Sequence, residues 1–100
     1  MNFDSLLQDI RVELRLVGNE SGKVRAICSV EFVFVQAGSI WVDGFRVVES
    51  PNQKFWVAQP SRRGSEKYFK TVELKGAIKG LVETAILTQF ERVRQTAKNG

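Results

Sequence analysis

The sequence contains no histidine and a single cysteine in 100 residues. Without histidine the usual general base of enzyme active sites is missing. One cysteine and no histidine also cannot supply the tetrahedral ligand set of a structural zinc site. Cys28 has no partner for an internal disulfide. It falls in the alternating run Val24, Ala26, Cys28, Val30, where a small apolar side chain is wanted, and it is expected to be a packing thiol rather than a nucleophile. There is no glycine-rich phosphate loop and no nucleophile elbow. The carboxylates Asp43, Glu49, Glu73 and Glu83 are scattered without catalytic spacing. Catalysis, a cofactor and a small-molecule substrate are therefore not expected. No apolar run is long enough for a membrane span, and Met1-Asn2-Phe3-Asp4-Ser5 lacks the start of a secretory signal, so the expected location is the cytoplasm.

What is present suits one globular domain covering residues 1–100, with 43% hydrophobic and 26% charged residues. Ile10, Val12, Leu14 and Leu16 alternate with Arg11, Glu13 and Arg15, which predicts a half-buried strand. After the turn cluster Gly18 to Gly22, period two resumes through Val24, Ala26, Cys28, Val30 and Phe32, completing a β-hairpin. Phe3 to Gln8, ahead of it, reads as a short helix or an irregular lead-in. Gln36-Ala37-Gly38-Ser39 breaks the apolar stretch Phe32 to Val35, as a turn or a bulge, before a strand from Ile40 to Glu49. Ser50-Pro51-Asn52-Gln53 has the residues of a reverse turn leading into a strand from Lys54 to Gln59, which Pro60 stops.

From Ala77 onward Ile78, Leu81, Val82, Ala85, Ile86, Phe90 and Val93 recur at intervals of three and four, predicting an amphipathic helix with one stripe for the sheet. Leu87 falls opposite that stripe, as an exposed leucine or a subunit contact. Arg92, Arg94 and Lys98 suit the negative end of the helix dipole. The expected fold is thus α+β: an antiparallel sheet of four to five strands followed by a C-terminal amphipathic helix packed on it. Trp41 and Trp56, both in alternating strands, read as core or subunit-interface anchors rather than platforms for bases.

The net charge of +4 is concentrated between Arg62 and Lys79. That stretch holds six basic residues (Arg62, Arg63, Lys67, Lys70, Lys75, Lys79) against Glu66 and Glu73, and the rest of the chain balances at nine against nine. A neutral body with one cationic segment has a directional field that draws in a polyanion, so nucleic acid is the first partner to consider. Ser61 to Tyr68 shows no regular pattern and reads as a basic loop, a place free of core packing duties. Arginine forks match phosphate oxygens in pairs. Tyr68 and Phe69 set aromatics among Lys67 and Lys70, an arrangement that suits single strands, although both rings also fit the start of a last strand anchored on the core.

The order of segments resembles the SpoVG family of small bacterial septation and sporulation regulators, over Ile10 to about Val93. The resemblance is carried by Val24-Arg25-Ala26-Ile27, by Phe45-Arg46-Val47-Val48, and by Trp56-Val57-Ala58-Gln59-Pro60-Ser61-Arg62-Arg63, which is similar to the family's FVAMPSKR signature. Ala85-Ile86-Leu87-Thr88-Gln89-Phe90 is similar to its helical AVLxxY. Gln59 stands where methionine is usual, Val33 to Gly38 adds residues between the second and third strands, and the segment after Arg63 is shorter than the family's. The resemblance implies a β-rich α+β fold, a homodimer formed partly through sheet edges, and binding to DNA and RNA without catalysis. It places the signature's basic pair on Arg62 and Arg63, whereas the four lysines rest on the charge count alone. The function expected is that of a homodimeric nucleic-acid-binding regulator. The alternative is a protein-interaction module whose basic loop binds an acidic partner.

Overall fold

The computed structural model describes residues 6–18, 22–63 and 68–99, with the backbone alone described at 62, 63, 68–70, 98 and 99. Strands β1 (Leu7–Leu16), β2 (Val24–Phe34), β3 (Gly38–Glu49) and β4 (Phe55–Ala58) form one sheet in the order β1-β2-β3-β4, with all three pairings antiparallel. A separate two-stranded ribbon, β5 (Ser61–Arg63) with β6 (Tyr68–Lys70), follows. The chain closes with α1 (Ala77–Asn99). The α+β architecture matches the sequence expectation, with four strands in the sheet. Leu7 and Gln8, read as part of a helix or lead-in, instead belong to β1, and Phe3 to Ser5 lie outside the described residues.

The alternation in the sequence becomes two chemically different sheet faces. Ala26, Cys28, Val30 and Phe32 of β2, Phe45 and Val47 of β3 and Val57 of β4 are buried on one face against Val82, Ile86 and Phe90 of α1. Ile10, Val12, Leu14 and Leu16 pack on the flank of that core. The opposite face carries Arg11, Glu31, Ser29 and Asp43, joined by an Arg11–Glu31 ion pair and a hydrogen bond from the Ser29 hydroxyl to Asp43. The break after Val35 is a tight turn between β2 and β3: Gln36 takes φ 58° and Gly38 takes φ 98°. Ser50 to Gln53 turns as expected, the Gln53 N–H donating to the Ser50 carbonyl at 3.0 Å with Pro51 at the second place.

The helix lies chiefly across β1 and β4, the two outer strands. Phe90 meets Phe55 with ring centroids 4.9 Å apart, and the Arg94 guanidinium sits 5.0 Å from the Phe55 centroid. Arg94 also pairs with Glu91 at 2.8 Å, so it is a packing residue as well as a C-terminal charge. This corrects the reading of two leucines. Leu87 packs against the core, whereas Leu81, assigned to the apolar stripe, is half exposed. Leu87 and Arg94 are seven residues apart and share a helix flank. Because Arg94 covers Phe55, that flank is the one turned toward β4. Trp41 and Trp56 are each about half exposed and belong to no core. No helix among the described residues is long and apolar enough to cross a membrane.

Cys28 is 1% exposed, and burial pushes its thiol up to about 11 from 9.0. The unfolded chain therefore ionises this group first, and it binds fewer protons than the native state between pH 9 and 11. Stability should be fully kept below pH 9 and fall as pH rises through that window, by roughly 2–3 kcal/mol from this thiol. Urea titrations of the wild type and Cys28→Ala at pH 8.5 and 11 check this. The variant should lose less stability over that interval, and equal losses would contradict the assignment.

Candidate nucleic-acid interface

The basic segment is planted on the sheet by a sequence of small local devices. Gly44 has φ 99°, a backbone region that disfavours any side chain, and it drops out of the register where Cys28 pairs with Phe45 and Ser29 with Asp43. A Cβ at this position would lie 3.3 Å from the Pro60 Cβ. The bare glycine lets buried Pro60 pack close against β3 just where β4 ends. Pro60 has no N–H for a ladder, but its carbonyl accepts the N–H groups of Thr71 at 3.0 Å and Val72 at 3.4 Å. Gln59 accepts the Leu74 N–H through Oε1 and donates Nε2 to the Leu74 carbonyl. The two ends of the basic segment are thereby tied together by backbone and amide bonds.

Between those ends the stretch read as an irregular loop forms the β5–β6 ribbon, with Ser61 opposite Lys70, Arg62 opposite Phe69 and Arg63 opposite Tyr68. The correction has a physical source: a three-residue antiparallel pairing fixed at its foot satisfies its own backbone groups and is too short to show hydrophobic period two in the sequence. Arg62, Arg63 and Lys70 are thus placed by backbone register on this ribbon, while Lys67 lies outside the described residues. Lys75 lies in the segment leading to the helix, 81% exposed and 3.5 Å from Glu73, a surface pair of small energetic worth. Lys79 stands exposed in the first turn of α1.

At the foot of the ribbon a groove of about 430 Å³ opens, bounded by Arg46, Trp56, Ala58, Ser61, Lys79 and Glu83. Arg46 is half-buried there, and its Nη2 donates to the Gln59 carbonyl at 3.2 Å and to the Ser61 hydroxyl at 2.9 Å. Lys79, found by charge count, and Ser61, inside the signature, converge on this groove. Arg46, Trp56 and Glu83 join them without having been singled out as binding residues. The signal for Arg46 lies in the Ser50–Gln53 turn. Pairing outward from it sets Glu49 against Phe55, Val48 against Trp56 and Arg46 against Ala58, which brings Arg46 into register with the strand that leads to the basic pair.

The site therefore combines a cationic ribbon, a guanidinium fixed at its foot, a helix lysine and an exposed indole. Arginine and lysine at one foot give phosphate oxygens both bidentate and point-charge partners. An exposed indole offers a stacking surface. No family model matches the sequence, and no curated protein matches it at a significant level.

Proposed function

We propose that the protein is a nucleic-acid-binding regulator of the SpoVG type, a cytoplasmic homodimer acting on DNA or RNA by occupancy rather than turnover, with septation or sporulation as the process controlled. The observation that carries this reading is the anchoring of the Arg62–Arg63 ribbon beside a groove that already holds Arg46 and Lys79. Cations gathered along one segment release counterions from a polyanion together, which is the main source of sequence-independent affinity.

The dimer has its own support in the sheet. β4 pairs only with residues Arg46 to Glu49 of β3. The other half of that β3 edge, Gly38 to Asp43, has no strand beside it among the described residues and carries Ile40 and Trp41, 56% and 49% exposed. An open edge with apolar side chains is a template for a second strand. A dimer through this edge also sets two ribbons on one assembly and doubles the phosphate contacts. Sedimentation at micromolar concentration should show twice the 11.3 kDa chain mass. Trp41→Lys should shift the protein to monomer at the same concentration, and a wild type sedimenting as a single chain would overturn the dimer.

Binding is tested by titrating the purified protein with duplex DNA, single-stranded DNA and RNA at about 50 and 200 mM salt, where several phosphate contacts cost on the order of 10³-fold or more in affinity. A steep loss supports nucleic acid. Weak binding with shallow salt dependence favours the competing role, a module whose basic segment docks an acidic protein through an interface with an apolar centre.

A further inference from the structure

Within the groove at the ribbon's foot, Trp56 and Glu83 have no function yet. Trp56 is 50% exposed although it stands in a strand whose neighbour Val57 is 6% exposed. Its cross-strand partner is Val48, so the indole lies on the face turned away from the helix-covered core, at the sheet's β4 edge. Glu83 is half-buried and follows Lys79 by one helical turn, yet no ion pair or hydrogen bond joins its carboxylate to another described residue. Glu83 lines the same groove as Trp56 and Ala58 of β4, with Arg46 and Lys79 beside it. The groove is suited to a ligand that brings two N–H donors, a flat aromatic surface and a negative charge.

We propose that this groove is a subsite for one unpaired guanine nucleotide of a single strand, with Trp56 stacking on the base, Glu83 accepting its N–H groups, and Lys79 with Arg46 holding the neighbouring phosphate. The inference rests on the nucleic-acid reading above and deepens it. Guanine is singled out by hydrogen-bond chemistry. An ionised carboxylate only accepts, through two oxygens. Guanine alone among the common bases presents two adjacent donors on its pairing edge, the ring N–H and the exocyclic amine. Adenine and cytosine each present one donor beside an acceptor that would face a carboxylate oxygen, and uracil presents one donor between two acceptors. Splayed bases of single strands are read in this way, by stacking on an aromatic ring together with hydrogen bonds to the pairing edge. A volume of about 430 Å³ falls in the range of small-ligand sites. The cations Arg46 and Lys79 beside it offset the repulsion between the Glu83 carboxylate and the strand's backbone.

The test uses the full chain carrying Trp41→Phe, so that Trp56 is the sole tryptophan. It is titrated by indole fluorescence and by anisotropy with U-only 12-mer RNA and with the same strand holding one central guanine or one central adenine. The expected results are quenching of the indole and an affinity for the guanine strand at least fivefold above that for the adenine strand. Trp56→Ala, read by anisotropy, should weaken guanine-strand binding by roughly 10- to 100-fold. Glu83→Gln should bring the guanine and adenine strands to within twofold of each other while anisotropy still reports binding of the U-only strand. If the parent chain binds the RNAs but shows no guanine preference, or keeps it in Glu83→Gln, the guanine subsite is refuted and the nucleic-acid reading stands. If the wild-type chain, with both tryptophans, binds none of the RNAs and no duplex, both fall.

Discussion

Changing Arg62 and Arg63 together to alanine is expected to weaken binding to every nucleic acid sequence alike, by on the order of 10²–10³ at physiological salt. The figure follows from the geometry proposed. With one phosphate held by each arginine, a dimer of the double variant releases its grip on about four phosphates, and each of these contributes a slope of about 0.9 on duplex DNA or 0.7 on a single strand to log affinity against log salt. The slope should therefore flatten by roughly 3 to 4. The fold should be retained, because the ribbon is tied at its foot by Pro60, Gln59, Thr71 and Leu74 rather than by these two side chains. Arg92→Ala is the suitable control: Arg92 is exposed near the other end of the helix, far in sequence from the Lys79 turn. Arg94 is unsuited to that purpose, since it covers Phe55 and Phe90 and its loss disturbs the core. Unchanged affinity and slope in the double variant would remove the ribbon from the interface.

Phe90→Ala is expected to cost about 3–5 kcal/mol, the range for emptying a buried aromatic site. Phe90 is 2% exposed and joins the helix to β4 through Phe55. A domain of this size has only about 5–15 kcal/mol in total. The loss should appear in urea denaturation as a large drop in midpoint with little change in slope. It should also carry into function, because the same helix holds Lys79 and Glu83 against the strand bearing Trp56. A loss below about 1 kcal/mol would mean that the helix is not held on the sheet through this contact.

Most of the sheet was legible because its alternation is strict. Val24 to Phe32 places small and large apolar residues on one face and polar ones on the other, and a slip of one residue would bury Arg25 and Glu31 in place of Ala26 and Phe32. The helix was legible for the same reason, but its rotation was not. Leu81 and Leu87 lie on opposite flanks of the Val82–Ile86–Phe90 line, and Leu87, on the flank that carries Arg94 onto Phe55, is the one packed against the core. Periodicity gives the axis of a stripe and not the side to which the helix leans. The ribbon escaped because its order comes from a proline carbonyl, a glutamine amide and a glycine distant in sequence, none of which leaves a periodic mark. Of the residues that line the groove, Lys79 lies in the segment singled out by charge count, and the strand leading to the ribbon was legible from its alternation and from Pro60. Arg46 and Glu83 reach the groove through sheet pairing and helix packing, which are visible only when both neighbours of β4 are known.

The placement of the interface is tested most directly by amide chemical-shift mapping of the ¹⁵N-labelled full chain during titration with single-stranded RNA. The largest changes are expected at Arg46, along Trp56 to Arg63 and in the first helical turns from Lys79 to Glu83, the segments that bound the groove and enter the ribbon. Glu13 and Arg15, on exposed positions of β1, should stay in place. Changes confined to β1 or to the helix beyond Arg92, with the ribbon and its foot unmoved, would contradict a nucleic-acid interface at this site.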